Sequence, residues 1–128
     1  MQLTNLPIVS KLGAKALFNE ESVCLEVYVA GTTKNGDEVF FFDTWVNNIR
    51  HTLCRLSGGC TELEATGYWG SQGEPVTILR CHTTRYALSA NAATIKQVLV
   101  QYGQECEQEA VGFTLNGEFF VIDPKEGY

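Results

Sequence analysis

Residues 61–84 read TELEATGYWGSQGEPVTILRCHTT, and the reading of this stretch decides the fold. Leu63, Ala65, Gly67 and Trp69 alternate with Glu62, Glu64, Thr66 and Tyr68, the period of two that a strand imposes on its faces. A polar segment follows, Gly70-Ser71-Gln72-Gly73-Glu74, rich in residues that turn the chain. The chain then returns with Val76, Ile78, Arg80 and His82 on one face and Thr77, Leu79, Cys81 and Thr83 on the other. This is a β-hairpin with an amphipathic segment on each side. The order it predicts is strand, helix, strand, strand, helix, strand.

Working outward from the hairpin, the upstream segment carries Phe42, Trp45, Val46, Ile49, Leu53 and Leu56 along one stripe of a helix, and Gly58-Gly59 ends it with a left-handed cap. Before it, residues 22–33 alternate Val23, Leu25, Val27 and Val29 with Cys24, Glu26, Tyr28 and Ala30, which predicts a strand with one buried face. Asn35-Gly36 marks the turn between the two. Downstream of the hairpin, Ser89 or Asn91 is placed to cap a second helix whose buried side is Ala92, Ile95, Leu99, Tyr102 and Cys106. A last hairpin is predicted over 111–122, with Asn116-Gly117 between two apolar runs. Asp123-Pro124 closes it. Residues 1–21 read as an N-terminal arm, interrupted by Pro7 and Gly13, with a short helical turn expected near Lys11 to Phe18.

Together these elements predict an α+β chain on the ferredoxin-like split βαβ plan (βαββαβ) with a C-terminal β-hairpin. The antiparallel sheet would have spatial order 4-1-3-2, extended by the last hairpin strand, with two helices on one face. The expected domains are the arm, 1–21, and a single ferredoxin-like domain, 22–128. Gly58-Gly59, Gly67-Tyr68-Trp69, the strand from Val76 to Leu79 and Tyr102-Gly103-Gln104-Glu105 resemble the pattern of the small bacterial proteins of the DUF3574 family. The resemblance implies this fold and carries no activity with it.

Composition narrows the function. The chain has 128 residues, 45% of them hydrophobic and 19% charged, enough to bury a core without disulfides or metals. Its net charge is −6, with nine Lys and Arg scattered along it, so nucleic acid is disfavoured as a ligand. No apolar run reaches the roughly 18 residues a membrane span needs. Nor does the beginning of the chain hold a run of signal-peptide character. Cys24, Cys54, Cys60, Cys81 and Cys106 include no CxxC pair and are expected to be reduced and mostly buried in a cytoplasmic protein. The histidines and cysteines lack zinc-site spacing, and neither a Walker pattern nor G-x-G-x-x-G occurs, so no metal or cofactor is expected.

One constellation stands out. Glu26 and Tyr28 share a face of the first strand, and Arg80 and His82 share a face of the return strand. In the predicted order these strands are adjacent, and Val76 and Ile78 continue the same face as an apolar floor. The expected ligand site is therefore Glu26, Tyr28, Arg80 and His82, with Tyr68 or Trp69 at its rim. Arg80 would favour an anionic ligand. The main expectation is a small non-catalytic binding or regulatory protein that takes a small ligand or a protein partner. The alternatives are a small enzyme in which a His82–Glu26 pair acts as base beside Arg80, or a phage- or defence-associated inhibitor that covers a partner protein. The apolar face and the arm residues Leu3, Leu6 and Ile8 predict a homodimer or higher homo-oligomer.

Overall fold

The computed structural model describes residues 7–13 and 22–125, apart from the side chains of Val9, Ser10 and Trp69. Among them the elements run α1 (Pro7–Lys11), β1 (Ser22–Ala30), α2 (Phe42–Ser57), β2 (Thr61–Trp69), β3 (Gln72–Thr84), α3 (Arg85–Ala90), α4 (Ala92–Glu105), β4 (Val111–Leu115) and β5 (Glu118–Ile122).

The strands form one antiparallel sheet in the order β2-β3-β1-β4-β5. This is the predicted 4-1-3-2 arrangement extended by the final hairpin strand, on the ferredoxin-like α+β plan. The central pair β1–β3 runs in register from Ser22↔Thr84 to Ala30↔Val76, placing Glu26 opposite Arg80 and Cys24 opposite His82.

Alternation decides which face is covered. Val23, Leu25, Val27 and Val29 of β1 are buried, and so are Thr77, Leu79, Cys81 and Thr83 of β3. Of these, Leu25, Val27, Val29, Leu79 and Cys81 meet Val46, Ile49 and Leu53 of α2 and Ile95, Leu99 and Tyr102 of α4 in one core. Burial of a large apolar side chain contributes about 1.5–3 kcal/mol, so this face supplies most of the driving force. The opposite face, bearing Cys24, Glu26, Tyr28, Val76, Ile78, Arg80 and His82, has no helix on it among the described residues.

Local sequence explains most boundaries. Gly58, at φ 78°, caps α2, and its N–H donates to the Cys54 carbonyl. Asp43 in the first turn of α2 and Arg55 in its last complement the helix dipole. Asn116 and Gly117 both take positive φ, as a two-residue hairpin turn requires. The Asn116 side chain also accepts from the Cys24 N–H at 2.7 Å, tying that turn to β1.

Four expectations need correction. β1 stops at Ala30, because Gly31 donates to Pro75 and the chain then bends into a bridge between Thr32 and Glu38. The β2–β3 connection is only Gly70-Ser71; Gln72 and Gly73 already pair with Trp69 and Tyr68. Asn91 takes the N-cap position of α4 as expected, without a side-chain hydrogen bond to that helix, but an unforeseen α3 precedes it, capped by Thr84, whose side chain accepts from Ala87. Asn91 instead donates to the Ala87 carbonyl and marks the break before α4. The arm's helix begins at Pro7, since proline is tolerated at a first helical position, and Gly13 at φ 66° follows it. The predicted helical residues 14–18, together with Leu3 and Leu6, lie outside the described residues.

Candidate functional site

The open sheet face brings Glu26, Tyr28, Arg80 and His82 together as the alternation predicts. Arg80 Nε donates to Glu26 Oε2 at 2.7 Å, and Thr114 Oγ1 donates to Glu26 Oε1 at 3.1 Å. Thr114 is contributed by β4, where it lies opposite Glu26. The hydrogen bond from Arg80 holds the Glu26 carboxyl below its ordinary value, and Thr114 assists, against a smaller opposing effect of burial. The base pair expected between His82 and Glu26 is not formed. Both carboxylate oxygens face other donors, and His82 stands exposed opposite Cys24.

The Glu26–Arg80 pair has a consequence for stability. A carboxyl whose folded pKa lies below the unfolded value of about 4.3 stabilises the fold above that value and loses the contribution as pH falls through the folded pKa. The melting temperature of the wild type should therefore exceed that of Arg80→Ala by a constant margin near neutrality. The margin should narrow once the pH drops below about 4. Melting curves of both proteins from pH 7 to pH 3 check this; a gap that widens in acid would mean that the pair does not stabilise the fold.

The rim residues separate. Tyr68 belongs to the helix-side face of β2 by alternation and is 71% exposed. The side chain of Trp69 lies outside the described residues. Phe119, which sequence reasoning left in the last hairpin without a role, is brought onto the open face. Its ring centroid is 6.0 Å from that of Tyr28, and it lies over Gly112, where an added Cβ would come within 2.8 Å of the ring. The signal was a glycine two residues from Thr114 in a strand otherwise made of larger residues.

Cys24, Cys60, Cys81 and Cys106 are held in the thiol form. Burial pushes Cys60, Cys81 and Cys106 up to about 11, and Cys24 is also raised, by burial first and the nearby Glu26 carboxylate second. No group of side chains able to hold a metal ion occurs among the described residues.

Two depressions lie away from Glu26 and Arg80. A depression of about 640 Å³ sits where the first turn of α2 faces the β2–β3 hairpin, lined by Phe42, Glu64, Thr66, Glu74, Pro75 and Thr77 among others. Thr32 donates a short hydrogen bond to Glu74 there. A second, more polar groove runs between α2 and α4 past Trp45, His51, Arg55 and Glu105.

No family model matches the chain, and neither does any curated protein sequence. Among solved structures the chain is similar to a phage SAM lyase in complex with S-methyl-5'-thioadenosine, with a TM-score of 0.59 and 9% identity. The match covers 84% of this chain and 94% of the lyase. This finding overturns the expectation of a non-catalytic binding or regulatory module. That expectation leaned on the absence of any familiar catalytic motif, and such an absence carries no weight on a fold that also supports a lyase.

Proposed function

We propose that this chain is a small enzyme that cleaves a nucleoside sulfonium, S-adenosylmethionine (SAM), and releases S-methyl-5'-thioadenosine. The observation that carries the proposal is the agreement of fold over 94% of a phage SAM lyase that holds this nucleoside. Two features of the chain support it. The net charge of −6 favours a cationic substrate over an anionic one. Arg80 is already neutralised by Glu26, which removes the reason to expect an anionic ligand.

The chemistry suits a protein without a strong base or nucleophile. In such a cleavage the substrate's own carboxylate oxygen bonds to the γ-carbon as that carbon's bond to the sulfonium sulfur breaks, so the amino-acid part closes to a lactone and the sulfur keeps the electron pair. The leaving group becomes a neutral thioether. Most of the protein's task is to hold the substrate in a reactive conformation and to replace the water around its charge. Incubating the purified protein with SAM should release S-methyl-5'-thioadenosine, detected by chromatography, in proportion to protein and time. Release no faster than in buffer alone would overturn the proposal.

We also propose that the open sheet face is where copies of the chain meet. Leu63, Phe119 and Val121 are 37%, 61% and 61% exposed on it, beside half-buried Tyr28, Val76 and Ile78.

A further inference from the structure

We infer that the depression between α2 and the β2–β3 hairpin is a nucleoside-binding site that admits an adenosine-type ligand and rejects its phosphorylated forms. The inference deepens the SAM-cleaving reading and rests on it for the identity of the base.

The first observation is an unpartnered hydroxyl. The buried polar side chains of the sheet are Thr77, Thr83 and Thr114, at 7%, 3% and 6% exposure. Thr83 donates to the Leu56 carbonyl and Thr114 to Glu26. The Thr77 hydroxyl makes no hydrogen bond among the described residues. Yet no fully buried side-chain polar atom is left unpaired among those residues. The Thr77 oxygen therefore keeps access to the outside, and Thr77 lines this depression. A hydroxyl on a residue that is nine-tenths buried, open only toward a cavity, is a hydrogen-bonding group held ready for a ligand.

The second observation is the chemistry of the walls. Phe42 and Pro75 offer ring surfaces to a planar base. Glu64 offers carboxylate oxygens, which accept from a ribose diol, and Thr66 and Thr77 on the same face of the hairpin add hydroxyls. No lysine, arginine or histidine among the described residues lines the depression. A phosphate brought against the Glu64 carboxylate without a cation beside it would be repelled, so a nucleotide is disfavoured while a neutral nucleoside or a sulfonium is accepted. The volume of about 640 Å³ falls within the range of about 300–1,000 Å³ typical of small-molecule sites.

Titration calorimetry of the full chain with S-methyl-5'-thioadenosine tests the site. Thr77→Val keeps a β-branched side chain in the strand and removes only the hydroxyl; Glu64→Gln alters an exposed position. Each should weaken binding by about tenfold, the effect of losing one hydrogen bond to a buried or charged partner. Adenosine 5'-monophosphate should bind at least about tenfold more weakly than the uncharged nucleoside. The inference is overturned if the nucleoside does not bind, if both variants bind it as the wild type does, if the monophosphate binds equally well, or if Arg80→Ala on the opposite face abolishes binding instead. Turnover of SAM, measured in parallel, separates the two readings. Turnover with binding indifferent to Thr77 and Glu64 removes the site and leaves the enzyme. Binding that depends on both residues without turnover leaves the site and removes the enzyme.

Discussion

Gly103→Ala should lower the melting temperature by several degrees, although alanine is the better helix former. Gly103 lies inside α4, where alanine is favoured by about 1 kcal/mol on propensity alone. The space at this position reverses the sign. An added Cβ would stand 2.4 Å from Pro124 Cγ, 2.9 Å from Pro124 Cβ and 3.0 Å from Val111 Cγ2. Proline has no rotamer by which to withdraw, and Val111 is a core residue at 1% exposure. Overpacking of this kind costs about 1–3 kcal/mol, and the closest approach is shorter than real Cβ contacts allow, so the upper end of that range applies. The net loss should be about 2 kcal/mol. The same segment is fixed by a hydrogen bond from Gln104 Nε2 to the Pro124 carbonyl at 2.9 Å. Thermal melts of the single variant and of Gly103→Ala combined with Pro124→Ala check the cause. The second change should recover part of the loss, because the two residues touch and their effects are not additive. A single variant that melts at or above the wild type would show that Pro124 and the chain after β5 yield without cost.

This glycine also explains a motif that the sequence exposes without its meaning. Tyr102-Gly103-Gln104-Glu105 is readable as the end of a helix, but its role comes from partners far away in the chain. Tyr102 is 1% exposed and donates its hydroxyl to the Ala30 carbonyl at 2.7 Å, and burial holds that phenol well above its ordinary value. The contacts to Ala30 and Pro124 depend on the sheet being assembled, so no local pattern announces them. The sheet itself was legible because its information is local. Period-two alternation fixed the faces of β1 and β3, and Asn116-Gly117 fixed the last turn. The same alternation put Glu26 with Tyr28 and Arg80 with His82 on shared faces, but with apolar residues on both sides of β3 it left open which of its faces the helices cover; the structure leaves all four on the open face. It could not say which donors Glu26 would meet. Thr114 reaches Glu26 from a strand 88 positions away, and Arg80 rather than His82 makes the ion pair. The depression beside α2 was hidden for the same reason. Phe42 reads as part of a core stripe, and Glu64 and Thr66 as one side of an alternating strand. Only the packing of α2 against the hairpin makes them neighbours.

Light scattering of the protein at micromolar concentration should give a mass of at least twice the 14.2 kDa of one chain. The force behind this expectation is the uncovered face of the sheet. Leu63 and Ile78 lie opposite one another across β2 and β3, Ala65 and Val76 likewise, and Tyr28 and Phe119 carry the apolar strip toward β5. In a monomer this strip would meet water at about 25 cal/mol per Å² of apolar area. Packing two such faces removes it from water on both chains at once, and a two-fold contact lets every residue serve twice. The Glu26–Arg80 pair in the middle of the face is neutral as a unit, so it does not oppose the approach of a second copy as a lone charge would. A different route to assembly exists through the sheet edges, β2 and β5, whose outer backbone groups have no strand beside them among the described residues. Leu63→Asp combined with Phe119→Asp distinguishes the two. Both side chains project from the open face, so the charges repel a facing sheet but leave the edge hydrogen bonds free. Face packing predicts that the double variant falls to 14.2 kDa with its circular dichroism spectrum unchanged. A wild type that scatters as a single chain, or a double variant that stays assembled, would show that the open face is not where copies meet.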